Sequence, residues 1–199
     1  MPPRTRAAVR LAVTTVAMFA TAAVPAQAQP RTPSQTPARP VLQPLVALAA
    51  ERVLLADRVA AAKYGTGAPI DDPSREQQVL DAAAEEADGL GLDPDEARAV
   101  FKDQIEANKV VQRALFRAWD SGAARPPAHR PTLGEIRPLI DGVNHRLLAE
   151  LATTEAPRHT TRCAPRLVAA QRTVTVQLRL SPLHQTGLLR ALPSVCPAH

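Results

Sequence analysis

The chain has 199 residues, with 24 Lys and Arg against 19 Asp and Glu and a formal net charge of +5 at pH 7. One Trp, one Tyr and three Phe offer few rings for stacking on bases, so composition gives nucleic acid little support as a partner.

Arg4, Arg6 and Arg10 make a basic start, an apolar run follows from Leu11 to Val24, and Ala26-Gln27-Ala28 has the small-x-small form of a signal-peptidase site. The run is too short, and too soon followed by Pro25, to match a membrane span of about 20 residues. Residues 1–28 therefore read as a signal peptide, and cleavage after Ala28 leaves 199 − 28 = 171 residues. It removes three arginines and no acid, so 21 basic and 19 acidic residues remain, a net of +2. The mature chain is not a polyanion binder by composition. No later stretch is apolar enough to cross a bilayer, and the expectation is an exported protein, periplasmic or secreted, that does not enter a membrane.

Residues 29–40, rich in Pro, Thr, Gln and Arg, have little to bury and read as a disordered lead-in. Residues 41–199 then read as one all-α domain of about six helices. A long helix is expected from about Leu42 to Tyr64, ended by Gly65-Thr66-Gly67. Asp72-Pro73 restarts the chain as an N-cap with Pro at N1, opening a helix to about Ala87. Asp93-Pro94-Asp95-Glu96 suggests a capping box for a third helix reaching Trp119, with Phe101, Ile105, Val111, Leu115 and Trp119 on its buried side. Residues 122–131 form a linker. Thr132-Leu133-Gly134-Glu135 is a further capping box, for a helix over about Glu135–Leu151 with Pro138 in or near its first turn. Residues 153–162 read as loop. Two shorter helices, near Pro165–Leu180 and Pro182–Leu192, complete the chain, although Val174-Thr175-Val176 favours a strand locally. In an exported protein Cys163 and Cys196 read as a disulfide, worth roughly 3–4 kcal/mol by loop closure.

The chemistry concentrates between Arg52 and Arg75. Arg52 and Lys63 are eleven residues apart, three turns plus about 20°, so both point the same way along one helix, ~16 Å apart. Ala56 and Val59 lie between them. Two cations on an apolar stripe need an anionic partner, because an unpaired buried charge is very costly. Glu51, Asp57, Asp71 and Asp72 could supply it within the protein, and a ligand could supply it instead. On the third helix Gln104, Asn108 and Gln112 lie four apart and share a face, where amides beside cations suit an oxygen-rich ligand. Arg137 is a fourth cation of interest. Glu106 and Lys109 read as solvated face. His129, His145, His159, His184 and His199 are scattered, without a carboxylate partner suggested by spacing. There is no Gly-x-Ser-x-Gly, His-Glu-x-x-His or phosphate-cradling glycine loop. Cations and amides with neither nucleophile nor metal suit a reaction that needs binding, conformational restraint and charge stabilisation.

The order Arg52, Lys63, Asp72, Arg75, then Asn108 and Gln112, resembles the all-helical chorismate mutases. The leader, the Ile136-Arg137-Pro138-Leu139-Ile140-Asp141-Gly142-Val143-Asn144 block and the Cys163/Cys196 pair resemble their exported, gamma subclass. The resemblance implies the rearrangement of chorismate to prephenate without metal or other cofactor. It implies that Arg52, Arg75 and Arg137 hold the two substrate carboxylates and that Lys63 and Gln112 meet the ether oxygen. Asp72 would orient the ring hydroxyl, Asn108 would assist at a carboxylate or hydroxyl, and Val79 would be an apolar wall. With Arg137 reaching in from a later helix, the pocket is expected within one protomer. Dimerisation is common in the family, and a homodimer is allowed here, although the sequence shows no interface stripe. The alternative is an exported helical binding or scaffold module whose buried cations are structural.

Overall fold

The structure, a computed structural model, describes residues 40–197. The expected signal peptide at 1–28 and nearly all of the lead-in lie outside the described residues, as does His199. Seven α-helices follow in order: α1 Gln43–Lys63, α2 Pro73–Gly89, α3 Pro94–Asp120, α4 Leu133–Thr153, α5 Glu155–Arg158, α6 Cys163–Gln177 and α7 Pro182–Arg190. A 3-10 turn at Pro193–Val195 ends the series, and there is no strand among the described residues. None of these helices is long and apolar enough to cross a membrane.

Apolar side chains encircle much of α1, and a helix of that kind belongs in the centre of a bundle. Leu45, Val46, Ala49, Ala50, Ala56 and Ala60 are all fully buried, and α1 packs against α3, α4, α6 and α7. Its many alanines let those neighbours come close. The tightest approach is at Gly187 of α7, where an added Cβ would lie 2.8 Å from Val53 Cγ1 and 2.9 Å from Val111 Cγ2.

Local signals set most helix ends. Gly65 leaves α1 with φ +75°, a conformation glycine adopts without a steric penalty. Asp72 caps α2, its Oδ1 accepting from the Arg75 N–H at 3.1 Å. Thr132 and Glu135 form the expected reciprocal box at the start of α4. The expected box at Asp93 is not made. Asp93 accepts from the Asp95 N–H at 2.8 Å, while Glu96 turns to Arg158 and His159. Pro138 also departs from expectation. It lies inside α4, beyond its first turn, so the Gly134 carbonyl loses its usual i+4 donor.

The stretch 153–162 is not all loop, because α5 forms there. Its Arg158 is 1% exposed and donates to the Val195 carbonyl at 3.3 Å and to Glu96 Oε2 at 3.4 Å. Val174-Thr175-Val176 is helical. Val174 is buried in the main core, and packing of α6 on α1 outweighs a local strand preference that depends on context. Cys163 and Cys196 form a disulfide with Cα atoms 5.8 Å apart, tying the start of α6 to the end of the chain.

Candidate active site

Helices α1 to α4 line a cleft of about 790 Å³ that opens to solvent. Arg52, Val59 and Lys63 face it from α1, so the eleven-residue spacing does put both cations on one side. Ala56 does not join them; it is buried with Val53, Ala107 and Val111. The cap and first turns of α2 bring Asp72, Arg75, Glu76 and Val79. From α3 come Ile105, Asn108, Lys109 and Gln112, and from α4 Ile136, Arg137 and Ile140. All seven residues singled out as a substrate site therefore line one cleft, and Val79 is an apolar wall of it.

Arg52 is the most buried of the cations, at 5% exposure. Its Nε donates to Asn144 Oδ1 at 2.8 Å, while Nη1 is buried with no partner. Burial pushes its pKa down to about 10, with Asp141 acting the other way. Lys63 donates only to main-chain oxygens, Pro69 O at 2.8 Å and Ile70 O at 3.4 Å. Burial lowers its pKa below that of an ordinary lysine against the opposing fields of Asp72, Glu76 and Asp71, and Arg137 adds to the lowering. Arg75 reaches Asp141 only at 3.8 Å and donates to Gln78 Oε1 at 3.3 Å. The Arg137 side chain is exposed at the cleft edge.

The carboxylates that could have explained these cations as internal salt bridges are engaged elsewhere. Glu51 pairs with Arg146 at 2.6 Å, Asp57 with His184 at 2.9 Å, and Asp71 with Arg113 at 2.5 Å. Asp72 spends one oxygen as the α2 cap. Among the described residues no carboxylate forms an ion pair with Arg52, Lys63 or Arg137. Arg52, Lys63 and Arg137 thus bring to the cleft cationic donors whose partners are neutral or absent, which suits an anionic molecule carrying more than one oxygen group.

The amides add donors at the same place. Gln112 Nε2 donates to Asn108 Oδ1 at 2.7 Å, and Asn108 Nδ2 donates to the Arg52 carbonyl at 3.4 Å. Asn108 therefore links α1 to Gln112. A primary amide carries two N–H donors, so Gln112 keeps one for a ligand. Gln104, which shares the row, is turned away and donates to the Ala191 carbonyl at 2.9 Å.

The sequence pattern and this geometry have relatives. The family described as chorismate mutase type II matches residues 43–113, from α1 through most of α3. A secreted chorismate mutase of Mycolicibacterium smegmatis is 36% identical over 181 residues, covering 90% of this chain and 99% of that protein. The chain belongs to the chorismate mutase family. A secreted chorismate mutase of Mycobacterium tuberculosis is 35% identical over 157 residues, 79% of each chain. A crystal structure of chorismate mutase from Burkholderia phymatum superposes with a TM-score of 0.76 at 35% identity, covering 80% of this chain and 98% of that one.

Two features of this chorismate mutase, one of them in the cleft, escape sequence reasoning. Lys109, read as solvated face, is only 8% exposed and lines the cleft beside Glu76. Its pairing with Glu106, three residues away, is the pattern of an exposed helix pair, and Asp71 and Glu76, which close on it, are distant in sequence. The scattered histidines also find carboxylates. His145 meets Glu86, His159 meets Glu96 at 3.1 Å, and His184 meets Asp57 at 2.9 Å. These partners come from other helices, so spacing could not reveal them, and none of the three histidines lines the cleft.

Proposed function

We propose that the cleft binds chorismate and carries its [3,3] rearrangement to prephenate by selecting the folded substrate conformer and stabilising charge on the breaking ether bond. The reaction is unimolecular, so the protein has to hold a conformer and meet the negative charge that develops on the ether oxygen. Arg52, Arg75 and Arg137 bind the two carboxylates, for which planar guanidinium donors are suited. Lys63 supplies a compact charge at the ether oxygen and Gln112 a neutral N–H. Asp72 has a second carboxylate oxygen to accept from the ring hydroxyl, and Asn108 holds Gln112 in place while assisting at a carboxylate or hydroxyl. No covalent intermediate, metal or other cofactor enters the reaction.

The observation that carries this reading is that Arg52 and Lys63 face one cleft without an ion-pair partner among the described residues, while the nearby acids are engaged elsewhere. A scaffold with structural cations would pair them internally. The enzyme acts in the periplasm or is secreted; in support, both mycobacterial relatives are named as secreted and the first 28 residues have the form of a leader. Lys63→Ala tests the assignment. The Lys63 ammonium holds only two carbonyls, so the fold and thermal midpoint stay near wild type. The rate of chorismate consumption falls by ~10²-fold or more, the scale of one lost transition-state donor. A Lys63→Ala enzyme as active as wild type removes the proposed role.

A further inference from the structure

Asp71, Asp72 and Glu76 surround Lys63 closely enough to act on its charge, yet none pairs with it. In a partly desolvated cleft a carboxylate within reach of an ammonium is a stronger partner than a neutral carbonyl; Asp72 is turned to the α2 cap, so something else must keep Asp71 and Glu76 away. The structure shows what does. Lys109 Nζ lies 3.1 Å from Glu76 Oε2, 3.3 Å from Asp71 Oδ1 and 2.5 Å from Glu106 Oε1. Arg113, four residues on and therefore on the same side of α3, takes Asp71 at 2.5 Å. Glu76 also accepts from the Asp72 N–H at 3.2 Å, which ties the acid to the α2 cap.

We infer that Lys109 is a positioning residue of the rearrangement: it engages Glu76 and Asp71 as their counter-ion, so that the Lys63 ammonium remains free for the ether oxygen. The inference rests on the role given above to Lys63. Lys109 suits the task because it is buried and held by three acids at once. Burial opposes its charge, but the bonds to Glu106, Glu76 and Asp71 outweigh that and raise its pKa above that of an ordinary lysine. Without Lys109, Glu76 is the cleft-lining acid that loses its counter-ion and is placed to capture Lys63, whereas Asp72 stays engaged as the α2 cap. A captured lysine would have to break an ion pair before meeting the transition state. The loss therefore appears in turnover more than in substrate binding, which the arginines carry.

A set of four variants tests this, each characterised by circular dichroism and thermal midpoint and then by steady-state chorismate consumption. Lys109→Met keeps length and bulk without charge; Lys109→Gln replaces it if the Met variant does not fold. The expected result is a ~10-fold or greater fall in kcat with KM within ~3-fold. In a Lys63→Ala background the same change costs less than ~2-fold, because Lys109 acts through Lys63. Adding Glu76→Gln to Lys109→Met restores at least ~3-fold of kcat, because the capturing anion is gone. A purely structural lysine predicts neither the non-additivity nor the rescue. Undiminished kcat in Lys109→Met, a full additional loss in the Lys63→Ala background, or no recovery in the double variant overturns the inference. A fully active Lys63→Ala enzyme instead overturns the role of Lys63, so the two failures are distinguishable.

Discussion

Replacing Arg52 by Met should make the protein more stable and much less active. Arg52 is nearly fully buried, its Nη1 has no partner, and its guanidinium carbon lies 6.0 Å from the Phe101 ring centroid. Burial brings its pKa to about 10. At 1.36 kcal/mol per pH unit, the folded protein disfavours the charged form by ~3 kcal/mol relative to an ordinary arginine. Met removes that penalty and fills most of the space. It also removes the charge-assisted bond to Asn144, worth about 1.5 kcal/mol or more. The balance is a gain of up to about 1.5 kcal/mol, in the direction seen when buried charges give way to apolar residues. For a domain of this size each kcal/mol moves the thermal midpoint by about 2–4 °C, so the variant should melt up to a few degrees higher without substrate. The same change removes a buried donor from a substrate carboxylate, and kcat/KM should fall by ~10²-fold or more. Differential scanning calorimetry with and without chorismate checks both halves: substrate raises the midpoint of the wild type and leaves that of the variant almost unmoved. A variant that melts below wild type would refute the reasoning, because it would mean that Arg52 is satisfied by the protein alone.

Gly187→Ala places a methyl group under 3 Å from Val53 and Val111, and such overpacking should destabilise by about 1–3 kcal/mol, read as a lower denaturation midpoint. The wild-type rate should fall as pH rises through the Lys63 pKa, because the protonated amine is the active form and burial holds that pKa below the ordinary lysine value. Gln112 does not titrate, so it adds no limb to the profile. Gln112→Glu places a carboxylate at the ether oxygen, and should lose activity at neutral pH and regain it in acid, where the carboxyl is protonated. A Gln112→Glu enzyme with an unchanged pH–rate profile would count against contact between residue 112 and the ether oxygen.

What could be read from the sequence was what depends on near neighbours. The eleven-residue step from Arg52 to Lys63 follows from helix geometry, and the Asp72-Pro73 start follows from capping chemistry; both hold in the structure. The helices themselves were legible for the same reason. What could not be read depends on which helix lies opposite. Lys109 and Glu106 look like any solvated pair until Asp71 of the preceding loop and Glu76 of α2 close on the lysine. Gln104 shares a row with Asn108 and Gln112, yet it is claimed by the end of α7. Glu96 has the spacing of a capping residue, but the buried Arg158 from α5 offers it a partner that the local pattern does not contain. Pro138 falls beyond the first turn because α4 begins at Leu133, two residues before the expected Glu135, directly after its Thr132 cap.

The central place of α1 limits how this enzyme can change over time. One side of the helix supplies Arg52, Val59 and Lys63 to the cleft, and the rest of it supports α3, α4, α6 and α7. Few of its positions are free to drift without disturbing either chemistry or packing. Variation has more room on the outer faces of α6 and α7, where Val176 and Leu189 are well exposed and no cleft residue is carried. Related sequences should therefore diverge fastest at the C-terminal end, and α1 should be the most legible part of any distant relative.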